Sequence, residues 1–158
     1  MELRRFLEYR TIDDLHRVVE NYMKHEVDGD KFRDEQAFED AVRAILKKSG
    51  FEVLEKHNVE HTRELVEEKL FSGVDGQIPD ISIQCRDGLV FLELKFKNTP
   101  QKYKEDIEKV ANFLRAGKCD AAGVLFLDDT HYPGWEQCKK NPKYYYLWRL
   151  DRRAKQKL

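Results

Sequence analysis

Residues 80–96 read DISIQCRDGLVFLELKF, two strand-forming runs joined by Arg-Asp-Gly. An Asp-Gly pair between β-branched and aromatic runs is the strongest short-range signal for a hairpin. Side chains alternate along a strand, so Leu89, Phe91, Glu93 and Lys95 share one face and Val90, Leu92, Leu94 and Phe96 the other. The second set reads as core. The first begins apolar and ends in Glu93 and Lys95, an expected ion pair beside buried surface. A hairpin centred on Asp87-Gly88 pairs residues whose numbers sum to about 175, which sets Asp80 opposite roughly position 95. Asp80, Glu93 and Lys95 are therefore expected to converge at one end of the hairpin.

A lone hairpin is marginal in water, so the rest of the chain has to cover it. Thr11 reads as an N-cap, with Asp13 and Asp14 in the first turn of a helix to about Lys24. A second helix is predicted over 31–48 from Phe38, Ala41, Val42, Ile45 and Leu46, with Gly50 at its stop. FEVLEKH, 51–57, reads as a strand; 61–70 reads as a short helix or an irregular excursion, and FSGVDGQ as a loop. Pro100 opens a helix over 101–115 with Ile107, Val110, Ala111 and Leu114 as its apolar stripe, ending at Gly117. AAGVLFL is the all-apolar pattern of a strand covered on both faces, and YYYLWRL reads as a last strand or edge ribbon. A helix between the third and fourth strands permits a right-handed crossover and a parallel pairing. The expected class is α/β, a mixed β-sheet flanked by helices.

With 158 residues, 41% of them hydrophobic, the chain fits one domain with one core. It divides into an N-terminal helix over 1–29, a core over 30–127 and a basic, aromatic C-terminal extension over 128–158. No apolar run approaches the roughly 20 residues that span a bilayer. The opening MELRRFLEYR lacks the apolar segment of a signal peptide, so an intracellular, cytoplasmic protein is expected. Cys85, Cys119 and Cys138 are scattered and read as free thiols, Cys85 buried in a strand. His57 and His61 stand four apart without a further ligand and read as surface residues, and His131 as a loop residue. The net charge of −1 hides a split. From Trp135 onward eight Lys/Arg face two acids, a net +6, which leaves −7 on the first 134 residues. A basic tail of this kind serves a polyanionic partner or is simply a solvated terminus.

Two neighbouring carboxylates stay ionised together only when a cation sits between them. A hard dication such as Mg²⁺ or Mn²⁺ takes carboxylates, carbonyls, water and substrate phosphate. Bound there it polarises a phosphoryl oxygen and acidifies an attacking water. The nearby lysine supplies a point charge or, with a depressed pKa, a proton-transfer group. Such a kit hydrolyses phosphodiesters.

Pro79-Asp80 followed by Glu93-Leu94-Lys95 on the next strand resembles the PD-(D/E)XK nuclease superfamily, which includes restriction endonucleases and archaeal Holliday-junction resolvases. The resemblance implies an αβββαβ restriction-endonuclease-like core over roughly 30–127, here with an extra N-terminal helix. It also implies Mg²⁺ (or Mn²⁺) on Asp80 and Glu93, the Leu94 carbonyl completing the metal shell, and Lys95 as catalytic lysine. The family commonly adds an acid on the first core helix about three turns before a Gly-aromatic pair. Glu39 lies eleven residues before Gly50-Phe51, and Glu35 one turn earlier on the same side. GQIPD followed by an ELK strand also resembles the VRR-NUC branch, whose glutamine usually lies within the next helix; here Gln101 stands at the helix start.

Lys97, Lys102 and Lys104 flank the expected site with Tyr103 among them, and Lys143 and Arg149 interleave with Tyr144, Tyr145, Tyr146 and Trp148. The cations read as phosphate contacts or as solvated lysines. The aromatics read as base-stacking surface, core-packing strand or dimer interface. The leading expectation is a metal-dependent DNA nuclease directed by structure or ends, with RNA open as substrate and a homodimer implied by analogy with the fold. Its rivals are a catalytically inactive nucleic-acid-binding module of the same fold and a protein-interaction domain.

Overall fold

The computed structural model describes residues 9–54, 78–97, 100–127 and 143–150. The expectations for 55–77, His131, Cys138 and the tail beyond 150 lie outside these residues. Helix α1 (Ile12–Asn21) starts where expected, because Thr11 and Asp14 close a reciprocal capping box. It does not run on as α-helix to Lys24. A π-helical turn, Tyr22–Glu26, follows, closed by the Val27 N–H on the Tyr22 carbonyl at 2.8 Å. The wider turn keeps Tyr22, Met23 and Val27 all buried.

Helix α2 (Glu35–Lys48) begins later than expected, because Asp34 caps it by accepting from the Ala37 N–H, leaving Gly29–Lys31 as a 3₁₀ turn. Gly50, at φ +87°, closes its end, with the Phe51 N–H returning to the Leu46 carbonyl. Five strands follow: β1 (Glu52–Leu54), β2 (Ile81–Cys85), β3 (Gly88–Phe96), β4 (Ala121–Leu127) and β5 (Lys143–Arg149), with helix α3 (Pro100–Arg115) between β3 and β4. The sheet order is β1-β2-β3-β4-β5. β3 and β4 run parallel; all other neighbours are antiparallel. The protein is thus mixed α/β, with helices on both faces of the sheet and β5 at its edge.

β3 is covered on both sides. Val90, Leu92, Leu94 and Phe96 join Leu15, Phe38, Val42 and Leu46 in the core beneath α1 and α2. Phe91 packs with Tyr103, Val110 and Phe113 of α3, so the face expected to be only partly apolar carries a second core. β4 is buried at every residue, as its composition predicts. The stripe expected on α3 holds at Val110, with Leu114 packed against the second core, but it is turned away from Ile107. Tyr103, Val110 and Phe113 are buried while Ile107 is 39% exposed. Aromatic packing decides the rotation: Phe113 meets Phe91 edge-on at 5.2 Å, and Tyr103 stacks on Phe126 at 4.7 Å. That rotation turns Asp106 and Lys109 toward the sheet.

The hairpin register also differs from expectation. Observed pairs run from Cys85–Gly88 to Ile81–Leu92, two residues short of the sum expected, so Asp80 follows on opposite Glu93 rather than position 95. Arg86 and Asp87 form the turn, and Gly88 already lies in β3. Long-range bonds select this turn: Asp87 accepts the Ile12 N–H at 2.8 Å, the Arg86 N–H reaches the Arg10 carbonyl at 2.9 Å, and Asp120 accepts the Leu89 N–H at 2.9 Å. A Cβ on Gly88 would lie 2.6 Å from Asp120, and its φ of +156° disfavours other residues. Gly88→Ala is expected to destabilise the fold by about 1–3 kcal/mol, measured as a lower midpoint in urea unfolding.

Candidate active site

Near the C-terminal end of β3, where Asp80 stands opposite Glu93, side chains of α2 and α3 meet those of β3. Glu93 is 2% exposed although it is a carboxylate in mid-sheet. Its Oε1 accepts the Asp80 N–H at 3.3 Å and lies 3.1 Å from Lys109 Nζ. Asp80 turns its own carboxylate to the Leu94 N–H, at 2.8 Å from Oδ2. β2 begins only at Ile81, so the Asp80 side chain stands in for the strand that β3 lacks there. Leu94 buries its side chain in the core beneath α1 and α2.

Glu93 and Lys95 do not pair with each other as expected. Residues two apart on a strand stand roughly 7 Å apart, and α3 offers closer partners one helical turn apart. Lys95 Nζ lies 3.3 Å from Asp106 and 3.8 Å from Glu35. Burial pulls the Lys95 pKa down, but Asp106, Glu35 and Asp80 outweigh it and raise the ammonium above its ordinary value. Lys95 is thus held as a positive point charge, which leaves the depressed-pKa role without support.

Of the two candidate acids on α2, Glu35 and Glu39, Glu35 is the one beside Lys95. Glu39 instead lies 3.2 Å from Arg43 Nε and 3.3 Å from Gln36. Arg43 in turn donates to the backbone carbonyls of Asp80 and Leu54. Glu39 therefore meets Asp80 through Arg43, as a brace on its backbone. Asp106, Lys109 and Arg43 were not anticipated. The two on α3 could have been found by phasing that helix on Tyr103, Val110 and Phe113.

The cluster holds more carboxyl groups than ammonium groups. Glu35, Asp80, Glu93 and Asp106 face Lys95 and Lys109, while Glu39 and Arg43 offset each other. Burial, then the Asp80 charge, pushes Glu93 up to about 8. Burial also raises Glu35 and Asp106 despite Lys95 beside them. Among the described residues no three His, Cys, Asp or Glu side chains stand close enough together to hold a metal ion. The donor set is two carboxylates, Asp80 and Glu93. A hard dication is commonly held by one or two carboxylates, the rest of its shell being water and substrate phosphate. With four carboxyl groups against two lysines, the residues present fit such an ion in donor type.

The residues expected to contact nucleic acid divide. Lys97, Lys102 and Lys104 are exposed around the start of α3, at the same end of β3 as Lys95, with Lys102 3.4 Å from Glu105. Arg149 is paired with Asp13 of α1, at the edge strand. Lys143 opens β5. Tyr145 packs inward, its hydroxyl 3.0 Å from His16 Nδ1, whereas Tyr146 and Trp148 stack on each other in solvent.

Because Glu93 titrates near 4.5 when unfolded and near 8 when folded, the folded chain keeps a proton between those values that the unfolded chain has released. The stabilisation is complete below about 4.5 and is lost as pH rises to about 8. Glu93→Gln does not titrate, so its melting temperature relative to wild type is expected to climb through this window and level off on either side. Thermal melts of both proteins at pH 4, 6 and 9 check the trend.

No family model, curated protein or solved structure matches the chain.

Proposed function

We propose that this chain is a divalent-metal-dependent nuclease that hydrolyses DNA phosphodiester bonds, built on an αβββαβ core of the PD-(D/E)XK type. The observation that carries the reading is the meeting of Asp80, Glu93 and Lys95 around a buried excess of carboxylate at one end of β3. The element order from α2 to β4, an antiparallel β1-β2-β3 meander and a helical crossover to a parallel β4, supports the same reading.

Asp80 and Glu93 would hold the cation, which when bound polarises a phosphoryl oxygen and acidifies a water. The chain's own residues do the positioning. The Leu94 N–H orients Asp80, the Asp80 N–H orients Glu93, and Arg43 fixes the backbone carbonyl of Asp80. Lys95, kept protonated by Asp106 and Glu35, offers a fixed positive charge to a phosphate whose negative charge grows during reaction. Lys97, Lys102 and Lys104, exposed around the start of α3, would contact a phosphate backbone, and such contacts position a strand without reading its bases. Recognition directed by DNA ends or branches belongs to the same reading, as does a homodimer addressing two strands.

The test is incubation with linear, circular, single-stranded and branched DNA in Mg²⁺, Mn²⁺ or EDTA. Cleavage is expected with either metal and not in EDTA, and Glu93→Ala or Lys95→Ala is expected to reduce it about 100-fold or more. Metal-independent DNA binding without cleavage would support the inactive-module reading instead. Neither cleavage nor binding would support a protein-interaction domain.

A further inference from the structure

We propose that Lys109 is an internal competitor for the cation position, an ammonium that occupies Glu93 in the metal-free protein and must yield when a dication binds. The proposal rests on the reading of Asp80 and Glu93 as the cation's ligands. Lys109 Nζ sits 3.1 Å from Glu93 Oε1 and 3.1 Å from the Ile78 carbonyl oxygen. A carboxylate and a carbonyl are the donors a hard cation takes. The ammonium also lies 5.8 Å from the Phe113 ring centroid, so an aromatic face backs its third side.

Lys109 serves Glu93, and Lys95 does not. Lys95 is committed to Asp106 and Glu35, which leaves Lys109 as the near cation on the most buried carboxylate of the site. The Glu93 side chain is 3% exposed and that of Lys109 22%. Charges so withdrawn from water are poorly screened, and a dication sharing Glu93 with an ammonium is repelled by it. The four-carbon stem reaches Glu93 from α3 and has solvent on one side, so the head group has somewhere to go.

A purely structural ion pair has the opposite consequence. If Lys109 only held Glu93 in place, its loss would loosen the carboxylate and weaken cation binding. If it competes, its loss strengthens binding.

Mn²⁺ titrated into the full chain, with free Mn²⁺ followed by its EPR signal, separates the two. Lys109→Met and Lys109→Gln are both expected to bind Mn²⁺ about tenfold tighter than wild type. Glu93→Gln should abolish binding in every background. Thermal melts give a second readout: Lys109→Met melts below wild type in EDTA, since it leaves Glu93 buried without its partner, and gains more than wild type from saturating Mn²⁺. The glutamine variant retains a donor for the Ile78 carbonyl and decides the matter if the methionine variant does not fold. Equal or weaker Mn²⁺ binding by the Lys109 variants, with wild-type binding still dependent on Glu93, overturns the competition and leaves the metal-site reading standing. Absence of Mn²⁺ binding in all proteins, or binding indifferent to Glu93→Gln, overturns both.

Discussion

A carboxylate in the middle of a strand covered on both faces has lost its water, and the surrounding structure has to replace what water supplied. Glu93 is that group. One of its oxygens takes a backbone N–H from the mouth of β2 and an ammonium from α3, so two elements far apart in sequence are held to β3 through a single side chain. Burial still wins in part, since the carboxyl titrates well above its ordinary range. The neighbouring Lys95, with partners on α2 and α3, extends the same arrangement to the end of the strand. Where an all-apolar strand would have packed more simply, this one retains a cluster of charge that costs stability. Buried carboxyls with raised pKa values make this cluster the candidate functional site.

The cluster is assembled from positions 35 to 109, none of which are close in sequence apart from those on the same element. It depends on the parallel pairing of β3 with β4 and on the rotation of α3. Aromatic contacts set that rotation, and the ionic site is its by-product: once Phe113 meets Phe91 and Tyr103 meets Phe126, Asp106 and Lys109 have to face the sheet. Packing and chemistry are therefore coupled on this face, whereas the core beneath α1 and α2 carries only apolar side chains from β3.

Much of this was legible in the sequence. The N-cap at Thr11, the glycine stop at Gly50, the all-buried β4 and the shared face of Glu93 and Lys95 all follow from local chemistry that no tertiary contact overrides. The register was not legible, because the Asp-Gly signal assumes a turn that chooses its own geometry. Here Ile12, Arg10 and Asp120, distant in sequence, hold the turn one residue earlier. The phase of α3 was only partly legible for a related reason: Val110 belongs to either of two stripes, and the bulk of Tyr103 and Phe113 turns Ile107 outward. Asp106 and Lys109 were hidden by that choice, and the same spacing left Glu35 and Glu39 indistinguishable until Lys95 and Arg43 selected their partners.

The side chain of Asp80 completes a backbone bond that β2 is too short to make, and its own N–H in turn serves Glu93. Two amide protons, at residues 80 and 94, are thereby tied to carboxylates and not to carbonyls. Their hydrogen-exchange rates consequently report on these two carboxylate contacts, while those of Leu92 and its neighbours report on the sheet. The fold thus carries two built-in isotopic probes of its carboxylate cluster, readable without any substrate.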